Sequence, residues 1–375
     1  MTADAHPPAA KPNAPGARSL LARFSAPAVL VVALAVNLWN LASIPFHPDE
    51  ATWIFMSRDL VLMAREGPGA VCWQPGAAAA PVALERARTA PLPRHILGLE
   101  RLAGILPAGA VPVDWDWTTT WAVNAERGTV PSASVLLAAR LPMALLTALW
   151  PVAQAGERAV APARRRFRAY FGRVLRRSAL MALGFVVVLG LLSPSLWCHP
   201  LSALDAMLRG RTSLVDAQVE ALRSAGAVFV LTTPAEHIVA LIDRVFVASP
   251  VFWEIPNYAA ETAASEATYM RGPMANLLRG TVWGSVMLAL ALLGAGTGAL
   301  LIFRRKSDAS PRRDLALVLM WTVGTALGLL ALVPFAWQRY YLPLIPALCV
   351  WQGYALGHVA RAGGLLRGAI GRRST

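Results

Sequence analysis

The chain has 375 residues, 56% hydrophobic and only 15% charged, with 35 basic against 21 acidic side chains and a formal net charge of +14. A soluble domain carries about 25% charged residues, so a mean hydropathy of +0.49 argues against an ordinary water-soluble globule. The charge does not call for nucleic acid either. Residues 1–26 sum to +2, 157–177 to +7, 304–314 to +3 and 358–375 to +4, while 42–130 and 198–279 each sum to −2.

The apolar residues are gathered into uncharged runs at Pro27–Phe46, Ser178–Trp197, Thr281–Phe303, Leu315–Trp337 and Tyr340–Gly357, with Pro131–Ala155 as a sixth that Arg140 interrupts. Each is near the roughly 18–25 residues that cross a bilayer as a helix. The expectation is an all-α polytopic membrane protein of about six spans, with two outer loops that carry short helices. The basic segments alternate with the spans, which is the positive-inside pattern. It predicts a multi-pass protein of the plasma (inner) membrane with both termini cytoplasmic and with 43–130 and 198–279 outside. Residues 27–360 then form one transmembrane domain, between a disordered tail over 1–26 and a basic tail over 361–375. No A-x-A cleavage site follows the first run, which reads as an uncleaved span rather than a signal peptide.

In chain order, the Pro/Ala-rich tail leads into span one, where Trp39 suits an interfacial anchor. Ser43–Leu60, SIPFHPDEATWIFMSRDL, follows. Pro48 fits a first helical position, where a missing N–H costs nothing. Asp49 and Glu50 in the first turn meet the positive end of the backbone dipole. Trp53, Ile54, Leu60 and Val61 continue the helical pattern. Two carboxylates thus stand at a helix mouth where a span meets water, either as an ordinary helix start or as chemistry. Gly67–Pro81 reads as irregular surface. Pro91-Leu92-Pro93-Arg94-His95 opens a short apolar helix, Ile96–Leu106. Val113–Trp121, VDWDWTTTW, is open between a sugar-stacking surface and an aromatic belt at the headgroup level.

Arg140 in span two is costly at mid-membrane, by a few kcal/mol, and is either a snorkelling helix-end arginine or a phosphate-binding cation. Arg164–Arg177 reads as an amphipathic inner-surface helix whose partners are anionic lipids. Cys72 and Cys198 fall on the outer side, where a disulfide is open to them; Cys349 lies in a span. Thr233-Pro234-Ala235-Glu236 is a capping box with proline at the first helical position. Ile238, Leu241, Ile242 and Val245 then share one face. Pro250–Tyr258 reads as an aromatic loop or as packing. Spans four and five form a hairpin about Arg304–Asp314, and Gln338-Arg339-Tyr340-Tyr341 turns into span six, so Arg339 is a second arginine at the outer face.

His47-Pro48-Asp49-Glu50 after span one, Pro91–His95, Arg140-Leu141-Pro142 and Arg339–Pro343 together resemble the GT-C superfamily of integral-membrane glycosyltransferases. The dolichyl-phosphate-mannose protein mannosyltransferases and the lipid-A aminoarabinose transferases are the nearest in look. The resemblance implies an inverting transfer of a mannose-like sugar from a polyprenyl-phosphate carrier to a hydroxyl on a protein, lipid or glycan acceptor outside the membrane. It implies Asp49 as the base, with Glu50 orienting a neighbour or a metal; a divalent cation is the only cofactor this reading allows for. Arg339, Arg140 and Arg94 would hold the lipid phosphate in fork geometry, with His95 and Tyr340 beside the substrate. The chain passes from Arg140-Leu141-Pro142 almost directly to the basic segment, where the family has further spans. A second reading is therefore a non-catalytic membrane partner derived from such an enzyme, and a second membrane subunit is a candidate partner. A transporter would want ionisable residues within its spans, and only Arg140 qualifies.

Overall fold

The structure is a computed structural model that describes residues 17–75, 81–157, 167–224, 230–252, 258–272, 275, 279–303 and 309–371. The expected N-terminal tail up to residue 16, Arg164 to Arg166, residues 304–308 of the Arg304–Asp314 turn and the centre of Pro250–Tyr258 lie outside the described residues.

The fold is all-helical. The helices are α1 (Ala17–Leu38), α2 (Pro48–Met56), α3 (Arg58–Glu66), α4 (Pro81–Arg88), α5 (Pro91–Leu102), α6 (Trp121–Glu126), α7 (Ala133–Glu157) and α8 (Phe167–Leu192). They continue with α9 (Ser195–Cys198), α10 (Pro200–Ser224), α11 (Pro234–Ile242), α12 (Ala259–Met270), α13 (Gly280–Phe303), α14 (Ala309–Leu332) and α15 (Ile345–Gly371). Among the described residues the extended structure is one isolated antiparallel bridge, Val230–Phe335. Among the described residues two helices are long and apolar enough to cross a membrane, Gly280–Phe303 and Arg312–Leu332, or three if Pro27–Ser43 and Pro48–Glu66 are counted together. Ala133–Leu149 and Ala182–Leu192 are shorter apolar helices. The last apolar run divides into a 3-10 segment, Gln338–Leu344, and α15.

The chain divides into two compact units, one built from α1 and α7 and the other from the remaining helices. In the first, α1 and α7 pack along each other. In the second, α13 lies against α14 and α15 through small residues. Gly294 and Gly298 of α13 lie against Trp351 of α15, which is fully buried, as are Ala347 and Ala355 of the same helix. Small residues let backbones approach where lipid supplies no hydrophobic drive. Trp351 Nε1 donates to Thr322 Oγ1 at 2.9 Å, and Gln352 Nε2 to Met287 O at 3.1 Å, so polar groups also pin the three helices.

Two local expectations change. The helix begun at Pro48 breaks at Ser57 into α2 and α3. The cause is Ile54 O, which the ladder would give to the N–H four residues on; it instead accepts from Ser57 Oγ at 2.6 Å and Arg101 Nη2 at 2.9 Å. The basic stretch from Phe167 is no separate amphipathic helix, because α8 runs from it without a proline into the apolar residues up to Leu192.

Cys72 and Cys198 form a disulfide 126 residues apart in sequence, tying the segment that follows α3 to α9. Beside it Trp73 packs with Ala87 and Ala203. Closing so long a loop stabilises a fold by about 2–5 kcal/mol. Denatured without reductant, the protein is expected to take up one maleimide per chain, at Cys349, and three after reduction. Three labels before reduction would refute the bond.

Candidate functional site

The site is built on the first turn of α2. His47 is its N-cap, in extended backbone, and the imidazole Nδ1 accepts from Asp49 N at 3.1 Å. The His47 N–H donates in return to Glu50 Oε2 at 3.0 Å. This is a capping box with histidine in the place of serine or threonine, and Pro48 takes the first helical position. The Glu50 carboxylate is thereby spent on the backbone, and adjacent helical residues point about 100° apart, so Asp49 turns elsewhere. Its Oδ2 accepts from Arg339 Nη1 at 2.7 Å, across 290 residues of sequence. Among the described residues no hydrogen bond is made to Asp49 Oδ1.

Arg339 is delivered by the 3-10 segment Gln338–Leu344 that follows α14. Pro334 ends that helix, and Pro334 O accepts from Leu231 N at 2.8 Å. Gln338 clamps the segment: Nε2 donates to Ala248 O and Ser249 O, and Oε1 accepts from Val251 N at 3.0 Å. The guanidinium carbon of Arg339 lies 5.0 Å from the Trp337 ring and 5.6 Å from the Tyr340 ring, a cation–π setting. Trp337 stacks in turn on Phe335 at 4.4 Å. The Tyr340 hydroxyl accepts from Arg211 Nη2 at 3.4 Å, at the edge of a cavity of about 310 Å³. Arg211 and Asp216 of α10 form one wall and Leu332, Val333 and Phe335 another.

Exposure separates this acid from its neighbours. The Asp49 and Arg339 side chains keep 36% and 37% of their surface, and such a pair is worth about 0–1 kcal/mol. Asp59 keeps 3%, sealed between Arg86 Nε at 2.9 Å and Arg94 Nη1 at 3.9 Å. Arg94 also donates to Arg86 O at 2.9 Å, and burial pulls its pKa down from the ordinary arginine value. That cluster holds α3, α4 and α5 together. Arg94, expected at the lipid phosphate, is therefore engaged in packing. His95 Nε2 donates to Leu192 O at 2.6 Å and joins α5 to the end of α8. Arg140 belongs to the other unit, buried, with Nη1 donating to Leu41 O at 3.2 Å. The structure thus brings together Asp49, Glu50, Arg339 and Tyr340, and engages Arg94, His95 and Arg140 elsewhere. Among the described residues no three His, Cys, Asp or Glu side chains are grouped to hold a metal ion.

No family model, curated protein or solved structure matches the chain. The geometry therefore has to speak for itself.

Two partners were not legible in sequence. Because His47 Nδ1 accepts, the ring proton sits on Nε2, which donates to the Tyr258 hydroxyl at 3.2 Å. Tyr258 is almost wholly buried. Behind it Trp117, Trp115, Trp121 and Phe46 pack edge to face in one cluster, with centroids 5.5–6.2 Å apart. The signal for the cluster is the tryptophan spacing in VDWDWTTTW, but nothing local ties it to Tyr258.

Burial holds the His47 imidazole below its ordinary pKa of 6.5, against the pull of the Asp49 charge, which raises it. A proton on Nδ1 would turn the cap's acceptor into a donor. Above about pH 6.5 folded and unfolded chains both keep this histidine neutral and the cap is complete. As pH falls below that value the unfolded chain takes up the proton first, so stability declines toward the lowered folded pKa. His47→Asn, a cap that does not titrate, is expected to reduce the slope of thermal stability between about pH 6.5 and 5. His95, also lowered mainly by burial, leaves a residual slope. An unchanged slope would remove His47 as its source.

Proposed function

We propose that the chain is an inverting membrane glycosyltransferase that moves a mannose-like sugar from a polyprenyl-phosphate carrier to an acceptor hydroxyl at the outer face. The observation that carries this reading is the solvent-open pair Asp49–Arg339, 2.7 Å apart and drawn from opposite ends of the chain. In the reaction Asp49 Oδ1 takes the hydroxyl proton of the acceptor. The acceptor oxygen bonds to the anomeric carbon from the face opposite the phosphate, and the sugar–phosphate bond breaks. The electron pair leaves with the polyprenyl phosphate, whose growing charge is met by Arg339. Arginine carries its five N–H donors in a planar fork that matches carboxylate and phosphate alike.

Three further features support the reading. The cavity beside Tyr340 combines Arg211 with apolar walls, which suits a phosphate head joined to a hydrocarbon chain. Leu332 of its lining ends α14, one of the helices long enough to cross a membrane. The acidic outer stretches and basic short segments agree with a multi-pass protein of about six spans in the plasma membrane, both termini cytoplasmic. The second reading, a non-catalytic partner derived from such an enzyme, is favoured by the short path from Arg140 to the basic segment.

The purified chain, reconstituted in vesicles with radiolabelled polyprenyl-phosphate mannose and an outer-membrane extract as acceptor, is expected to release polyprenyl phosphate and label the extract. No transfer from mannose, glucose or aminoarabinose donors would sink the enzyme and leave the partner.

A further inference from the structure

We infer that Trp117 is a stacking platform for a pyranose ring at this site; the inference rests on the transferase reading. Trp115 is 5% exposed and Trp121 only partly so, whereas Trp117, in the same cluster, keeps 39% of its surface open. An indole left open to water at the edge of a buried aromatic cluster is poor packing, and its place decides what it faces. Its centroid lies 6.2 Å from Tyr258, whose hydroxyl accepts from His47. His47 caps the turn that carries Asp49, and its Nδ1 stands 3.6 Å from Asp49 Oδ2. The open indole is therefore joined through Tyr258 and His47 to the acid and guanidinium.

The platform is also held still. Asp116 Oδ1 accepts from both the N–H and the hydroxyl of Thr118, at 3.0 and 2.6 Å, and its Oδ2 from Arg127 at 3.0 Å. Asn124, fully buried, accepts from Asp116 N through Oδ1 and donates from Nδ2 to Asp116 O and Thr120 O. Both residues flanking Trp117 are fixed, so little conformational entropy is lost when a ligand settles on it. A pyranose presents a flat patch of C–H bonds on one face, slightly positive against the negative face of an indole. An ion-pair site beside a rigid, open indole is chemistry for a sugar more than for a lipid tail. Of the alternating aspartates of VDWDWTTTW, Asp116 then serves the turn and Asp114 accepts from Thr52 Oγ1 of α2 at 2.8 Å, while the tryptophans divide between wall and platform.

The test is saturation-transfer difference NMR on the full chain in detergent, with methyl α-mannopyranoside and methyl β-glucopyranoside as probes. The parent is expected to give difference signals strongest at the protons of one ring face. Trp117→Ala is expected to weaken binding about tenfold, and Trp117→Phe by threefold or less, with thermal unfolding unchanged in both. Equal binding by Trp117→Ala and the parent, or no signal from either glycoside, overturns the platform. Lower partition of Trp117→Ala into vesicles with glycoside binding intact also overturns it, in favour of a membrane anchor. If Asp49→Asn abolishes transfer while Trp117→Ala binds normally, the platform falls and the transferase stands. A Trp117-dependent signal in a chain with no transferase activity would have the opposite meaning.

Discussion

Asp49→Asn is expected to lower the rate of sugar transfer by about 10²–10⁴-fold, the range of a lost general base. The fold should survive, because an exposed ion pair is worth about 1 kcal/mol at most. Asparagine also keeps the backbone N–H that His47 Nδ1 accepts. Arg339→Gln should reduce transfer as well, by removing the cation that meets the departing phosphate. The two acting as a unit predicts that the double variant loses much less than the product of the single losses. Glu50→Gln should behave differently. Its carboxylate serves the capping box, where a glutamine oxygen also accepts the His47 N–H, so the change shifts stability by less than about 1 kcal/mol and leaves turnover largely intact. Turnover by Asp49→Asn equal to that of the parent would remove the base. A Glu50→Gln loss as deep as that of Asp49→Asn would reassign it.

The second large effect is on assembly. Gly294→Leu is expected to part α13 from α15 and to lower stability by roughly 3 kcal/mol or more. Even a methyl group at Gly294 meets the main-chain carbonyl of Trp351, which cannot rotate aside as a side chain does. One turn further on, a Cβ at Gly298 would stand 2.5 Å from the Trp351 ring, so the helix has no room to slide. Gly296 lies on the same helix, and a Cβ there meets nothing within 4 Å. Gly296→Ala should therefore be neutral or stabilising by up to about 1 kcal/mol, the helix propensity gained. Thermal unfolding of the three proteins in one detergent separates the cases. Similar melting for Gly294→Leu and Gly296→Ala would refute close packing at this seam.

Much of the local structure was legible from composition and short-range rules. The apolar runs at Thr281–Phe303 and Leu315–Trp337 became α13 and α14. The capping box at Thr233 is present, with Glu236 N donating to Thr233 Oγ1 at 3.2 Å and Thr233 N to Glu236 Oε2 at 3.1 Å. Pro48 and the acidic turn start α2 as expected. The break at Ser57 was not legible, because it depends on an arginine 44 residues away taking Ile54 O and Ser57 Oγ. Nor was the fate of Arg94, which reads as an exposed cation beside a proline and lies buried against Asp59. His47 as a cap was within reach, since His-x-x-Glu before a helix has the spacing of a capping box, though histidine is an uncommon cap.

The sequence by itself determined the helical class, the apolar helices and the helix starts, because hydrophobic period, proline and capping act over a turn or two of the chain. Only the tertiary structure decided that Asp49 faces Arg339 and that Tyr258 and Trp117 stand behind the same turn. Those contacts join residues up to 290 positions apart. What selects among the many acids and arginines of such a chain is which helices pack and which side chains burial leaves open to water.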